Sequence, residues 1–158
     1  MLGRRDSQDS LLSAHAQYLD FVGPDTFYGF LAQHGRELFR DEDFAELYCP
    51  DNGRTSVPPS ILALALLLQT HDEVSDEEAK GRAEYDMRWK MALGVEMEAR
   101  PFAKSTLQLF RAQLVIHDKA RQTLQRSLAY AKQMGYASKA KKLRAARWTP
   151  RTSWGGER

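Results

Sequence analysis

One cysteine, Cys49, occurs in 158 residues, which excludes an internal disulfide and any zinc module built on cysteine pairs. A lone thiol suits a reducing compartment. Cys49 reads as a small, partly buried residue near a helix end. Long apolar runs are also missing: the longest, Ile61 to Leu68, is far shorter than the roughly 20 residues a helix needs to cross a bilayer. Arg4 and Arg5 are not followed by an apolar block, so the expectation is a cytoplasmic protein without a membrane partner. No glycine-rich segment ends in Gly-Lys-Ser/Thr, and no nucleophile elbow is present. The four histidines, His15, His34, His71 and His117, are too scattered to pair at ligand spacing. Neither a cofactor, a metal nor a small-molecule substrate is expected.

What the chain does contain is ordinary in bulk and uneven in arrangement. With 42% hydrophobic and 28% charged residues, it has the composition of a globular domain with one core. The net charge of +2 conceals a polarity along the sequence. Between Asp41 and Ala99 there are 14 acidic residues against 5 basic, and from Arg100 to Arg158 there are 2 against 14. The C-terminal half is therefore the candidate polyanion surface. Charge alone does not separate that reading from solvated helix faces followed by a basic tail.

Periodicity and capping signals predict helices and no convincing strand. Met1 to Ser13 is polar and reads as disordered. Asp25 or Thr26 caps a short helix through Phe27, Phe30, Leu31 and His34, ending near Gly35. A second helix spans Asp41 to Tyr48 with Phe44, Leu47 and Tyr48 inward, and Cys49 to Gly53 is a turn by composition. Pro58 and Pro59 suit a first helical turn, and Ile61 to Gln69, apolar on nearly every side, reads as the core helix. Ser75 with Glu78 forms a capping box for a helix running to Leu93, with a kink near Gly81 or Asp86 and a left-handed stop at Gly94. Trp89 and Tyr85 are expected to pack inward. Ser105 or Thr106 restarts the chain, with Leu107, Phe110 and Leu114 on one face. Ser105 to Gly135 forms one long helix or two, since Asp118 can cap a second segment carrying Leu124, Leu128 and Ala131. The acidic group Asp72, Glu73, Asp76, Glu77 and Glu78 suggests metal binding at first sight. Adjacent carboxylates on a helix mostly point apart, however, and acids in a first turn are explained by the helix dipole.

An ordered set of short words adds a resemblance to this physical reading. Gly53-Arg54, Ser56-Val57-Pro58-Pro59, Leu67-Leu68-Gln69, Ser75 to Ala79, Tyr85 to Lys90, Ala92-Leu93-Gly94, Phe102 to Leu107 and Phe110-Arg111 follow one another. Over roughly Phe39 to Gly135 the chain resembles the helical N-terminal domain of DDE-type insertion-sequence transposases. The resemblance implies recognition of the element's terminal inverted repeats, subunit assembly, or both. In full-length members a nuclease domain follows, with three carboxylates on an RNase H-like fold holding two metal ions. Nothing here supplies that fold, so the chain is expected to be truncated and without catalysis of its own.

The tail suggests a cause. The resembling proteins continue into a segment of the form Leu-Asp-Thr/Ser-Thr, three variable residues, Gly-x-Gly-Ala. Tryptophan has a single codon, so a frame starting at the third base of each codon must read aspartate across Trp148-Thr149 and glycine across Trp154-Gly155. Permitted codons elsewhere from Arg147 to Arg158 yield Leu-Asp-Thr-Thr-Tyr-Ile-Leu-Gly-Arg-Gly-Ala, the family's segment. A frameshift near Ala146 is the expectation.

The sequence thus predicts an all-α protein, a compact helical bundle with helix-turn-helix-like elements, a disordered N-terminus and a basic C-terminal tail. Residues 1–24 form a flexible segment, 25–135 the helical domain, and 136–158 the tail, of which 147–158 lies out of frame. The leading function is DNA binding at the inverted repeats or pairing with a second copy or a full-length transposase. The competing readings are an interaction module without DNA affinity and a degenerate product with no retained activity. Candidate DNA contacts are Lys104, Ser105, Thr106, Gln108, Arg111, Arg121 and Arg126.

Overall fold

The computed structural model describes residues 1–5, 14–48 and 55–133. Within them lie seven α-helices and one 3₁₀ helix, with no β-strand among the described residues. They are α1 (Ala14–Val22), α2 (Phe27–Leu38), the 3₁₀ helix (Asp41–Leu47), α3 (Pro59–Asp72), α4 (Asp76–Tyr85), α5 (Met87–Leu93), α6 (Lys104–Ile116) and α7 (Lys119–Gln133). The expected turn at 49–53 and the tail from residue 136 lie outside the described residues.

Helix α3 is the centre because its sequence offers no polar face to water. Every residue from Pro59 to Leu66 is buried, as is Leu68. Its N-terminus poses a problem: Pro58, the residue at the cap position, has no side chain that can accept from the first-turn amides. Asp41 solves it from another element. Its Oδ1 accepts from the Ser60 amide at 3.0 Å, and its Oδ2 accepts from the Arg5 amide at 2.8 Å. The 3₁₀ helix thereby caps α3 and holds the start of the chain, and the charge-assisted bonds justify a buried carboxylate.

Of the segment 1–24 expected to be flexible, the described residues 1–5 and 14–22 are held in place. The Arg5 guanidinium reaches the Leu93 carbonyl at 2.6 Å, and the Gly3 amide donates to Ser56 Oγ at 3.0 Å. Burial, more than the neighbouring Arg36, lowers the Arg5 pKa to about 10. Residues 14–22 form α1, which packs against α5 and α2.

Thr26 caps α2 through the Gly29 amide. The helix does not stop near Gly35 but runs to Leu38. Gly35 faces α3 instead, where a β-carbon would lie 3.0 Å from Leu64 Cδ1. The glycine is there for close helix approach, not for a left-handed turn.

The stretch from Ser75 to Leu93 breaks at Asp86, one of the two expected positions. Ser75 and Glu78 form the capping box of α4, and Asp86 ends α4 while capping α5 through the Arg88 amide. Gly94 ends α5 at φ 63°. Trp89 is fully buried, whereas Tyr85 is 76% exposed, contrary to the inward position expected for both. The break at Asp86 resets the helical phase, so an i, i+4 pair across it does not share a face.

A buried lysine organises the loop after Gly94. Lys90 is 2% exposed, and its ammonium donates to the carbonyls of Ala99 at 2.6 Å and Glu96 at 3.3 Å. Burial pushes its pKa below the ordinary lysine value. Lys90→Met keeps the aliphatic stem but loses both bonds, and is expected to destabilise the protein by about 1 to 3 kcal/mol. Chemical denaturation checks this, with faster amide exchange in residues 95–103 as the local signature; stability equal to wild type would contradict the role.

Candidate nucleic-acid interface

Helices α6 and α7 carry the candidate contacts, and their placement begins with Phe102. That ring is buried immediately before α6, and Ala103 takes the cap position in extended conformation. Ser105 and Thr106 are therefore first-turn residues and not the cap expected of them. Leu107, Phe110 and Leu114 form the buried stripe, and the Phe110 ring meets Phe44 edge-on at 5.6 Å.

The segment is two helices. The chain turns at His117 and Asp118, with Asp118 in the left-handed conformation at φ 53°. Aspartate enters that region more readily than most residues. Three side chains then dock α7. The Tyr130 hydroxyl donates to the Glu37 carboxylate on α2, and its ring lies tilted against Phe30 and His34. Lys119 pairs with Glu46 and Arg126 with Asp43, each at 2.5 Å, tying the helix to the 3₁₀ element.

The cations of α6 meet the acids at the start of α4. Arg111 donates to Asp76 Oδ1 at 2.6 Å and Oδ2 at 3.2 Å, and to the Gln69 side-chain carbonyl at 2.6 Å. Gln108 also donates to Asp76, at 3.1 Å, and Lys104 pairs with Glu77 at 3.4 Å. The Arg111 bonds hold the Asp76 carboxyl well below the usual carboxylate range; burial opposes them, and Gln69 and Gln108 add to the lowering. A depressed folded-state pKa contributes stability above the unfolded value near 4, and that contribution is lost as pH falls. Tm is therefore expected to drop on acidification from about pH 5 downward, with a flatter dependence in Asp76→Asn. A mutant slope equal to wild type would show that Asp76 contributes nothing.

The carboxylates grouped in the sequence are thus separated by function. Asp72 binds inward groups, Asp76 binds α6, Glu77 meets Lys104, and Glu78 closes the capping box. Among the described residues no three His, Cys, Asp or Glu side chains are grouped to hold a metal ion.

Of the seven candidates, Lys104, Gln108 and Arg111 stand together at the α4–α6 contact. Ser105 is exposed beside them, and Thr106 is half-buried. Arg121 and Arg126 are exposed on α7, away from that group in sequence, and Arg126 holds Asp43. The exposed side of α6 also carries apolar residues: Leu109 is 61% exposed, Val115 50% and Ile116 77%. Sequence reasoning passed over the glutamines and Lys132 of α7. The signal available for them was the absence of any acid from Lys119 to Gln133.

A family model described as a transposase domain (DUF772) matches residues 7–113, from ahead of α1 into α6. No curated protein and no solved structure matches the chain.

Proposed function

The chain belongs to this transposase-domain family, and from that premise we propose that its helical unit binds duplex DNA at the terminal inverted repeats of a mobile element. The observation that carries the reading is the one-sided charge of the α6–α7 pair. The two helices carry Lys104, Arg111, Lys119, Arg121, Arg126 and Lys132 against the single acid Asp118 of their own segment, and four of these cations also face carboxylates of α4 or the 3₁₀ helix. Cations on a helical surface neutralise phosphates and release counterions, while polar side chains beside them supply hydrogen bonds to base edges. Cleavage is not part of the proposed role. The carboxylates nearest to a cluster, Asp72, Asp76 and Glu78, are occupied by Trp89, Arg111 and Ser75.

Subunit assembly is a second reading, favoured by the exposed Leu109, Val115 and Ile116 on α6. Its partner is a second copy or a full-length transposase. A module of that kind without DNA affinity is the alternative to the DNA reading.

Salt separates the two. Affinity for duplex DNA is expected to fall as salt rises, with a log-log slope of about −0.9 per phosphate contacted. Anisotropy titrations on inverted-repeat and random duplexes measure this, with sedimentation reporting self-association. Self-association without binding to either duplex would reject the DNA reading in favour of assembly.

A further inference from the structure

The two helices of the candidate interface differ in a way their summed charge conceals. On α6, Lys104 and Arg111 each face a carboxylate of α4. On α7, neither Arg121 nor Lys132 enters an ion pair among the described residues, and the helix from Lys119 to Gln133 contains no acid. The exposed residues Arg121, Gln122, Gln125, Arg126, Lys132 and Gln133 fall within roughly 140° of one another around a helix of 3.6 residues per turn. Ala129, also exposed, lies in the middle of that arc. The opposite side belongs to the protein, with Ser127 buried and Tyr130 packed against the core.

Resting on the DNA reading above, we infer that this face of α7, and not the start of α6, is the surface that enters the major groove of duplex DNA. Charge complementarity selects a polyanion: a face of arginine, lysine and glutamine offers donors, and α7 itself adds no carboxylate to repel phosphate. The glutamines select a base-bearing polyanion, because a glutamine amide pairs bidentately with adenine and an arginine with guanine. Ala129 leaves the middle of the face without a long side chain, so the helix can approach the groove floor. An anionic membrane suits the face poorly, since no large apolar side chain is present to insert. Arg126, at the edge of the arc, already holds Asp43, which leaves Arg121 and Lys132 as the phosphate contacts and Gln122 with Gln125 as the base readers. Helix α6 then serves as the strut that α4 holds in place.

The test uses the full chain and three double variants: Arg121→Ala with Lys132→Ala, Gln122→Ala with Gln125→Ala, and Ser105→Ala with Gln108→Ala as the α6 comparison. Binding to inverted-repeat and random duplexes is measured by anisotropy across salt. Circular dichroism confirms that all melt near wild type, as expected for exposed positions. The Arg121/Lys132 variant is expected to lose affinity for both duplexes and to reduce the salt slope by about 2, near 0.9 for each lost phosphate contact. The Gln122/Gln125 variant is expected to lose roughly tenfold or more for the inverted repeat, with little change on random DNA. Wild-type behaviour of both α7 variants, with binding lost in the α6 variant, would overturn the assignment to α7 while leaving the DNA reading intact. Failure of the wild-type chain to bind any duplex would overturn both. Binding to anionic phospholipid vesicles without binding to DNA would identify the wrong polyanion and also reject the inference.

Discussion

Asp72→Ala is expected to destabilise the protein by about 3 to 5 kcal/mol, the largest effect of any single polar substitution here. The side chain is only 4% exposed and accepts from four groups. Trp89 Nε1 donates at 2.8 Å, the Tyr28 hydroxyl at 2.7 Å, Arg82 at 2.5 Å and His71 Nδ1 at 2.8 Å. These come from α2, α4, α5 and α3 itself, so one carboxylate joins four helices at the C-terminal end of the core helix. Burial raises the Asp72 pKa, and the bonds from His71, Tyr28, Trp89 and Arg82 outweigh it, leaving the carboxyl below its ordinary value. Removing the carboxylate leaves the buried Trp89 indole N–H without an acceptor and Arg82 without its counter-charge. The burial also raises the Tyr28 pKa to about 12, with the Asp72 bond adding to the shift. Asp72→Asn keeps one acceptor and is expected to lose less. Thermal melts check both, with a fall of about 10 °C or more expected for the alanine variant. An unchanged Tm for Asp72→Ala would mean that these four bonds are replaced by water at no cost.

The second large effect lies in the apolar core. Leu64 on α3 is fully buried, and Leu64→Ala is expected to cost about 2 to 5 kcal/mol through lost burial and the cavity left behind. Leu67, half-buried on the same helix, is expected to cost less. The contact with α2 gives the stronger test. A β-carbon at Gly35 would stand 3.0 and 3.3 Å from the two Leu64 methyls and 3.7 Å from the Ala92 carbonyl. Gly35→Ala alone crowds Leu64 in a packed interior, while Leu64→Ala alone leaves a void at the same place. Together they are expected to compensate, with the double variant more stable than the sum of the singles by about 1 kcal/mol. Additive losses in denaturant titrations would show that the two residues do not share space.

Local signals carried much of the fold. The Ser75 capping box, the Thr26 cap, the stop at Gly94 and the buried set Leu107, Phe110 and Leu114 were all legible, because each depends on residues within about four positions of one another. The all-apolar Ile61 to Leu68 identified the core helix for the same reason. The candidate site was legible only in part. Charge counting located the cations in the last third of the described chain, but it did not distinguish an arginine already holding a carboxylate from one facing solvent.

By itself, then, the sequence determined the helical class, the core helix, several helix caps and stops and the family resemblance, since periodicity, capping and word order are written along the chain. Tertiary structure alone decided that Asp41 caps α3, that Lys90 is buried on two carbonyls, and that Arg5 fastens the first residues to Leu93. It also decided that Tyr85 points outward and that Arg111 meets Asp76 across 35 positions of sequence. The physical reason is the range of the interactions. A cap or an apolar stripe is satisfied within one or two turns, whereas a charge or a buried donor is satisfied by whatever the packing of another helix brings beside it.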